Sequence, residues 1–291
     1  MAGVRNCQVA FLTSVPSIYQ PWDLQHLHLP GFFSKIEVRS REEQYRAFCE
    51  QAQYVCVQTE WGKRDLIKQY SIDPEKIKVI QWSCISDAFS PSTPAAFSEI
   101  VARLGLPETF FFYPAVTWKH KNHEAVIRAL WVLRDRHDIR ANVCFSGKAT
   151  EFKGELDRLA SKLGVSGQVR YLGFVSPGEL HVVYALARAL VFPSRFEGFG
   201  LPVLEVFRAG LPVLSSSATV LPEVAQDGAL YFDPDSPEQI AAHMKAVLVD
   251  ASLRCSLIDS GRRVMARYSS GRTAAAFQDL YEQIAGVRLS H

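Results

Sequence analysis

Phe192-Pro193-Ser194-Arg195-Phe196-Glu197-Gly198-Phe199-Gly200-Leu201-Pro202-Val203-Leu204-Glu205 is the stretch that orders the rest of the chain. It leaves a short apolar strand predicted at Leu190–Phe192, turns through two glycines and enters a helix predicted over Pro202–Ala209. A buried strand that runs through a glycine turn into a helix is half of a βα repeat. Glycines let backbone N–H groups approach a ligand closely, and a helix N-terminus offers unpaired donors and partial positive charge to an anion. Glu197 lies in the turn and Glu205 about one turn inside the helix. An ionised carboxylate only accepts hydrogen bonds, so its natural partner is a hydroxyl-rich ligand such as a sugar. A single Glu at such a corner is ordinarily a solvated surface group. The pair, with its glycines, carries the reading.

The same alternation extends in both directions. Upstream the pattern predicts a strand at Val9–Ser14, a helix over Arg41–Ala52, a strand at Tyr54–Thr59, a helix from Glu60 to Gln69 and a strand at Lys76–Ile80. The pattern weakens between Ser83 and Leu106, where Ser90-Pro91-Ser92-Thr93-Pro94 is turn-rich, ahead of a short helix at Phe97–Leu104. A second series begins with the strand Thr109–Ala115 and a helix after Asn122 that presents Val126, Ala129, Leu130 and Leu133 on one face. The strand Ala141–Phe145 comes next, then a helix bearing Leu156, Leu159 and Leu163 and stopped by Gly164. Strand Val169–Leu172, helix Pro177–Ala187 and strand Val213–Ser215 continue the series. Ser236-Pro237-Glu238-Gln239 predicts a capped helix start with a capping-box Gln, and helices at Leu253–Ala266 and Gly271–Ala285 close the chain. The fold class expected is α/β, in two doubly wound lobes spanning 1–105 (with the linker) and 106–291. Such sheets bind ligands at the carboxyl ends of their strands.

Composition narrows the class. Of 291 residues, 48% are hydrophobic and 21% charged, which excludes a disordered chain or a coiled coil. Lys and Arg number 32 against 30 Asp and Glu, a net charge of +2 that leaves no footprint for nucleic acid. No apolar run approaches the roughly 20 residues that span a bilayer, and no apolar segment resembling a signal peptide opens the chain. Cys7, Cys49, Cys56, Cys84, Cys144 and Cys255 form no C-x-x-C pair, which suits reduced thiols in a cytoplasmic protein.

Glu197 and Glu205, set in E-G-F-G-L-P-x-L-E, resemble the paired-glutamate motif of retaining glycosyltransferases of the GT-B fold, family GT4 (glycosyl transferases group 1). Gly173-Phe174-Val175 with Glu179-Leu180 and Tyr184 resembles the stretch on the N-terminal side of the motif in that family. Gly210-Leu211-Pro212-Val213, Leu221-Pro222-Glu223-Val224 and Tyr231-Phe232-Asp233-Pro234 resemble the stretch on its C-terminal side. The likeness runs from about Phe111 to Tyr281. It implies two Rossmann-like lobes facing a cleft, with residues 106–291 holding the nucleotide sugar and 1–105 forming an acceptor-side lobe. It also implies that Glu197 contacts hydroxyls of the donor sugar and Glu205 the nucleotide ribose. Backbone amides of Gly198, Phe199 and Gly200 would approach the sugar or diphosphate. Gly147, Lys148, Phe174 and Val175 match loops beside the base and diphosphate.

Thr117-Trp118-Lys119-His120-Lys121-Asn122-His123 supplies cations at a strand end, before a helix that Asn122 is expected to cap. Alone, the run reads rather as a solvated basic turn. By resemblance Lys121 is the lysine that touches the leaving diphosphate. The family's accompanying arginine falls on Ala115, leaving Lys119, His120 or Lys148 as substitutes. Tyr19 to His28 resembles the segment where the family places a histidine followed by Asp, facing the donor sugar. Here Trp22 precedes Asp23, with His26 and His28 nearby as further candidates.

Three signals carry no site. Asp233-Pro234-Asp235 imitates a metal-binding D-x-D but lies in a proline turn, and GT-B enzymes generally need no metal. The histidines form no H-x-x-x-H pair, and no G-x-G-x-x-G comes after a strand. No metal or other cofactor is expected. About twenty residues precede Asp23, so the resemblance implies an incomplete acceptor-side lobe. The activity implied is transfer of a sugar from GDP-mannose or a UDP-sugar, with retention, to a glycan or lipid-linked acceptor. A lipid-linked acceptor would bring peripheral contact with the inner face of a membrane. The alternative is a non-catalytic nucleotide-sugar-binding remnant or regulatory partner.

Overall fold

A computed structural model of the chain describes residues 16–83 and 94–286. The expected strand Val9–Ser14, most of the turn-rich Ser90–Pro94 segment, Cys7 and Cys84 lie outside them. In chain order the elements are β1 (Ile18–Tyr19), α1 (Gln25–His28), α2 (Lys35–Gln51), β2 (Tyr54–Val57), α3 (Glu60–Tyr70) and β3 (Ile77–Val79). Then come α4 (Pro94–Leu104), β4 (Phe110–Pro114), α5 (His123–His137), β5 (Asn142–Ser146), α6 (Lys153–Lys162), β6 (Val169–Gly173), α7 (Pro177–Leu186) and β7 (Leu190–Phe192). The chain ends through α8 (Leu201–Ala209), β8 (Val213–Ser216), α9 (Leu221–Ala225), β9 (Ala229–Phe232), α10 (Pro237–Val249), α11 (Ala251–Met265) and α12 (Ser270–Ala285).

The chain divides into two compact units. One comprises Met1–Ser83, Glu197–Phe199 and Tyr268–His291, and the other Cys84–Phe196 and Gly200–Arg267. This differs from the expected ranges 1–105 and 106–291. The last helix belongs to the first unit because Leu280 packs with Cys56 and Ile80, and Ala276, Phe277 and Ile284 pack around them.

The first unit holds a parallel three-stranded sheet in the order β1-β2-β3. Its core gathers Leu24, Cys49, Val55, Val57, Leu66, Tyr70 and Ile77. Helix α2 begins at Lys35, well before the expected Arg41. The reason is a capping box: Ser34 Oγ accepts from the Glu37 N–H at 3.2 Å, and Glu37 Oε2 from the Ser34 N–H at 2.8 Å.

The second unit carries a six-stranded, wholly parallel sheet in the order β6-β5-β4-β7-β8-β9. Phe110 to Tyr113 of β4 are all fully buried, as expected of a strand covered on both faces. The chain winds from β4 outward through β5 to β6, then returns to place β7 on the other flank of β4. The carboxyl ends of β4 and β7 therefore border the topological switch point, where open α/β sheets form a ligand crevice. Gly164 ends the helical turn after α6 in the left-handed region, at φ +66°. The described cysteines are free: burial pushes the Cys144 thiol up to about 12, and only Cys255 is exposed.

Candidate functional site

The loops after β4, β5, β6 and β7 of the second unit meet beside the switch point. The loop after β4 turns through a short 3-10 helix at Lys119–Lys121. The Tyr113 hydroxyl donates to the Lys121 carbonyl at 2.8 Å, fixing the backbone that carries the lysine. Asn122 does not cap α5 as expected. It sits in the left-handed region at φ +59°, fully buried, and its Nδ2 donates to the carbonyls of Pro193 (3.0 Å) and Pro234 (2.7 Å). A tertiary cross-link has displaced the local cap.

His120 is also corrected as a substitute cation. Burial, reinforced by Lys121 and His123, pushes its pKa down to about 3, so the ring is neutral near pH 7. Lys119 lays its ammonium over the Phe152 ring, 5.3 Å from the centroid. Lys148 is exposed, and Ala115 stands beside Gly147. Gly147 adopts φ +119°, and a Cβ there would lie 2.9 Å from the Ala115 carbonyl. Glycine thus lets three strand ends touch backbone to backbone: the Ala115 N–H donates to Ser146 O and the Gly147 N–H to Gly173 O, each at 2.8 Å. Thr117 and Thr150 add a hydroxyl pair at 3.1 Å. Phe174 is 85% exposed at this rim and Val175 half-buried.

The loop after β7 is held from within. Ser194 is fully buried, and its hydroxyl donates to the Phe196 carbonyl at 3.0 Å. Gly200 stands at the head of α8 with φ +91°, where a Cβ would come within 2.8 Å of Leu221 Cδ2. The helix starts at Leu201, one residue before the expected Pro202, and no side chain caps it. Glu205 is half-buried and accepts a hydrogen bond from the Tyr184 hydroxyl at 2.9 Å. Burial raises its pKa above the usual carboxylate range, and the Tyr184 bond opposes the rise.

In the first unit, Glu197 is half-buried and Phe199 buried. Phe199 meets Trp82 and Tyr268 edge-on, with centroids 6.2 and 6.1 Å away. A Cβ on Gly198 would collide with the Trp22 carbonyl, so this position needs glycine for close approach. Asp23 Oδ1 accepts from the Gln25 N–H at 2.9 Å. His26 proves to be a core residue: fully buried, it has Nε2 3.5 Å from Glu42 Oε2, and burial holds its pKa low. His28 Nε2 lies 2.8 Å from Asp65 Oδ2.

Arg195 escaped the sequence reading. Its hydrogen-bond partners lie up to 76 positions away, and no local pattern announces them.

Residues 98–264, more than half of the chain, match the family model for glycosyl transferases group 1. The chain belongs to this family. Lys121, Gly147, Lys148, Phe174, Val175, Glu197–Gly200 and Glu205 all fall inside the group 1 match, whereas Asp23, His26 and His28 fall outside it. Among curated relatives, the chain is similar to the O-antigen chain mannosyltransferase B of Escherichia coli, 29% identical over 80% of this chain and 61% of that one. It is similar also to a D-inositol 3-phosphate glycosyltransferase of Corynebacterium jeikeium, 31% identical over 84% of this chain and 62% of that one. The chain thus spans about three fifths of the length of these relatives. Among solved structures, Anabaena HepE in complex with UDP and glucose superposes with a TM-score of 0.75 at 18% identity, covering 94% of this chain and 72% of that one. WaaG, a glycosyltransferase involved in lipopolysaccharide biosynthesis, gives 0.72 at 21% identity, covering 94% and 76%. The fold is GT-B, as the family resemblance implied.

Proposed function

We propose that this group 1 protein is a glycosyltransferase that takes a sugar from GDP-mannose or a UDP-sugar and transfers it, with retention, to a glycan or lipid-linked acceptor. One observation carries the reading. At the switch point, a backbone-anchored Lys121 and an uncapped helix start at Gly200–Leu201 accompany a half-buried Glu205 one turn on. Lys121 and the first-turn amides of α8 suit a diphosphate, and Glu205 suits the ribose diol. The exposed Lys148 supplements the charge that Ala115 lacks. HepE, which shares the fold, binds UDP, and this supports a nucleotide as the ligand.

The chemistry assigned is displacement at the anomeric carbon from the front face. The bond from C1 to the diphosphate oxygen breaks while a bond from C1 to the acceptor oxygen forms. The acceptor proton passes to the departing diphosphate. Lys121 and the α8 start stabilise the charge that develops on the diphosphate, and Glu197 favours the positive sugar ring. Catalysis is then preorganised electrostatics and positioning, with no metal or other cofactor assigned. Among the described residues no helix is long and apolar enough to cross a membrane. We place the reaction in the cytoplasm, at the inner membrane face for a lipid-linked acceptor.

Ala115, a neutral His120 and Trp22 before Asp23 favour a second reading, in which the chain binds nucleotide sugar without turnover. Calorimetry with UDP and GDP, alongside transfer and donor hydrolysis with UDP-, GDP- and ADP-sugars, separates the two. Binding with turnover supports the transferase, binding alone the second reading, and absence of both overturns the site.

A further inference from the structure

We propose that Arg195 is a positioning residue that holds Lys121 in register with the start of α8, an inference that rests on the nucleotide-binding reading of the switch point. The Arg195 backbone N–H donates to His120 O at 2.9 Å. Its guanidinium donates from Nε to Asp235 Oδ1 (3.0 Å), from Nη2 to Glu124 Oε1 (3.3 Å) and from Nη1 to Lys119 O (3.4 Å). One residue on the loop leaving β7 thus grips the 3-10 turn after β4, the first turn of α5 and the turn after β9.

The Asp233-Pro234-Asp235 run finds its role here. Asp233 Oδ1 accepts from the Asp235 N–H at 2.9 Å, which shapes the turn that offers Asp235 to Arg195. Gln239 Oε1 accepts from the Asp233 N–H at 2.9 Å, so the expected capping-box Gln is spent on the same turn. The Pro234 carbonyl takes the Asn122 amide. Asn122 and Arg195 therefore cross-link the same three loops, and Lys121 lies between two anchored neighbours, His120 and Asn122. A planar guanidinium can hold three acceptors in fixed directions, which an ammonium cannot reproduce.

The ion pairs are partly exposed, with Asp235 69% accessible, so they contribute little to stability and much to geometry. A phosphate contact tolerates little misplacement: a shift of about 1 Å can cost on the order of 100-fold in rate. All three guanidinium nitrogens of Arg195 are engaged by protein acceptors, so it acts through Lys121.

The test measures affinity for UDP, GDP, uridine and guanosine in the parent, Arg195→Ala, Arg195→Lys, Asp235→Asn, Lys121→Ala and the Arg195→Ala/Lys121→Ala double variant. Arg195→Ala is expected to weaken the better-bound diphosphate by about 10-fold while moving the nucleoside by less than about 2-fold. Lysine does not restore the loss, and Asp235→Asn gives part of it with an unchanged melting temperature. In the Lys121→Ala background the Arg195→Ala loss shrinks to under about 2-fold, because the group it positions is gone. Equal losses in both backgrounds, equal losses for diphosphate and nucleoside, or no loss at all overturn the proposal while the nucleotide site stands. A parent that binds neither diphosphate overturns the nucleotide-binding reading itself, and this proposal with it.

Discussion

Replacing Glu205 tests the ribose assignment most directly, and the structure sets the size of the effect. Its carboxylate accepts from Tyr184 at 2.9 Å and has a second oxygen for a ligand hydroxyl. Removing a charged acceptor costs about 1.5–3 kcal/mol per hydrogen bond. At about 1.4 kcal/mol per tenfold, Glu205→Ala should weaken nucleotide binding roughly 10- to 150-fold. That variant also removes the hydrogen bond that the Tyr184 hydroxyl donates, costing about 1–3 kcal/mol of stability. Glu205→Gln avoids the complication, since an amide oxygen still accepts from Tyr184. Neutral hydrogen bonds are about half as strong, so a loss of roughly 3- to 10-fold is expected. The pH dependence is more diagnostic. Burial raises the Glu205 pKa, so the folded protein binds this proton more readily than the unfolded chain. The stability it contributes is present at low pH and is lost as pH rises from the ordinary glutamate value through the raised folded one. Nucleotide affinity moves the opposite way over that window, because the ribose needs the ionised form. Calorimetric titrations spanning roughly pH 4–8, paired with thermal melts, would show the Glu205 contributions to the two curves diverging, and Glu205→Gln removes that contribution from both. Glu205→Gln with parental affinity and a parental pH profile, in a folded protein, would refute the assignment.

Lys121→Ala should weaken nucleoside diphosphate binding by about 10-fold or more and nucleoside binding by less than about 2-fold, which paired titrations would read. Glu197→Gln should lower kcat at least about 10-fold with nucleotide affinity little changed, because only the transition state carries the positive charge this carboxylate favours; loss of nucleotide affinity instead would move Glu197 to the other end of the donor. Gly147→Ala combines φ +119° with an approach of 2.9 Å to Ala115, and should lower stability by about 2–4 kcal/mol in urea unfolding.

Strands β4, β5, β7 and β8 were legible because largely covered parallel strands read as short apolar runs between glycine and proline turns. The α8 corner was legible because glycine at Gly200 meets a backbone demand that the sequence itself reveals. Asn122 misled for a physical reason: an Asn before a helix looks the same whether its amide caps locally or reaches Pro193 and Pro234. The burial of His26 was not legible because its enclosure depends on Glu42 and Tyr70, which arrive from helices elsewhere in the chain. The early start of α2 was available in Ser34 and Glu37, whose spacing is that of a capping box. Arg195 offered nothing local to read, since a cross-link among three loops exists only once the sheet has set their order.

The return of α12 to the first unit has a consequence for biosynthesis. Ile80 and Leu280 share one small core yet stand 200 positions apart in the chain. At about 5–20 residues per second, a ribosome needs roughly 10–40 s to supply the second half of that core after the first has emerged. Meanwhile the face formed by Ile18, Tyr54, Cys56 and Ile80 waits uncovered. The second unit, whose strands and helices alternate locally, can mature first. A nascent chain of this protein should therefore depend on holding chaperones in proportion to how slowly the codons of α12 are reached.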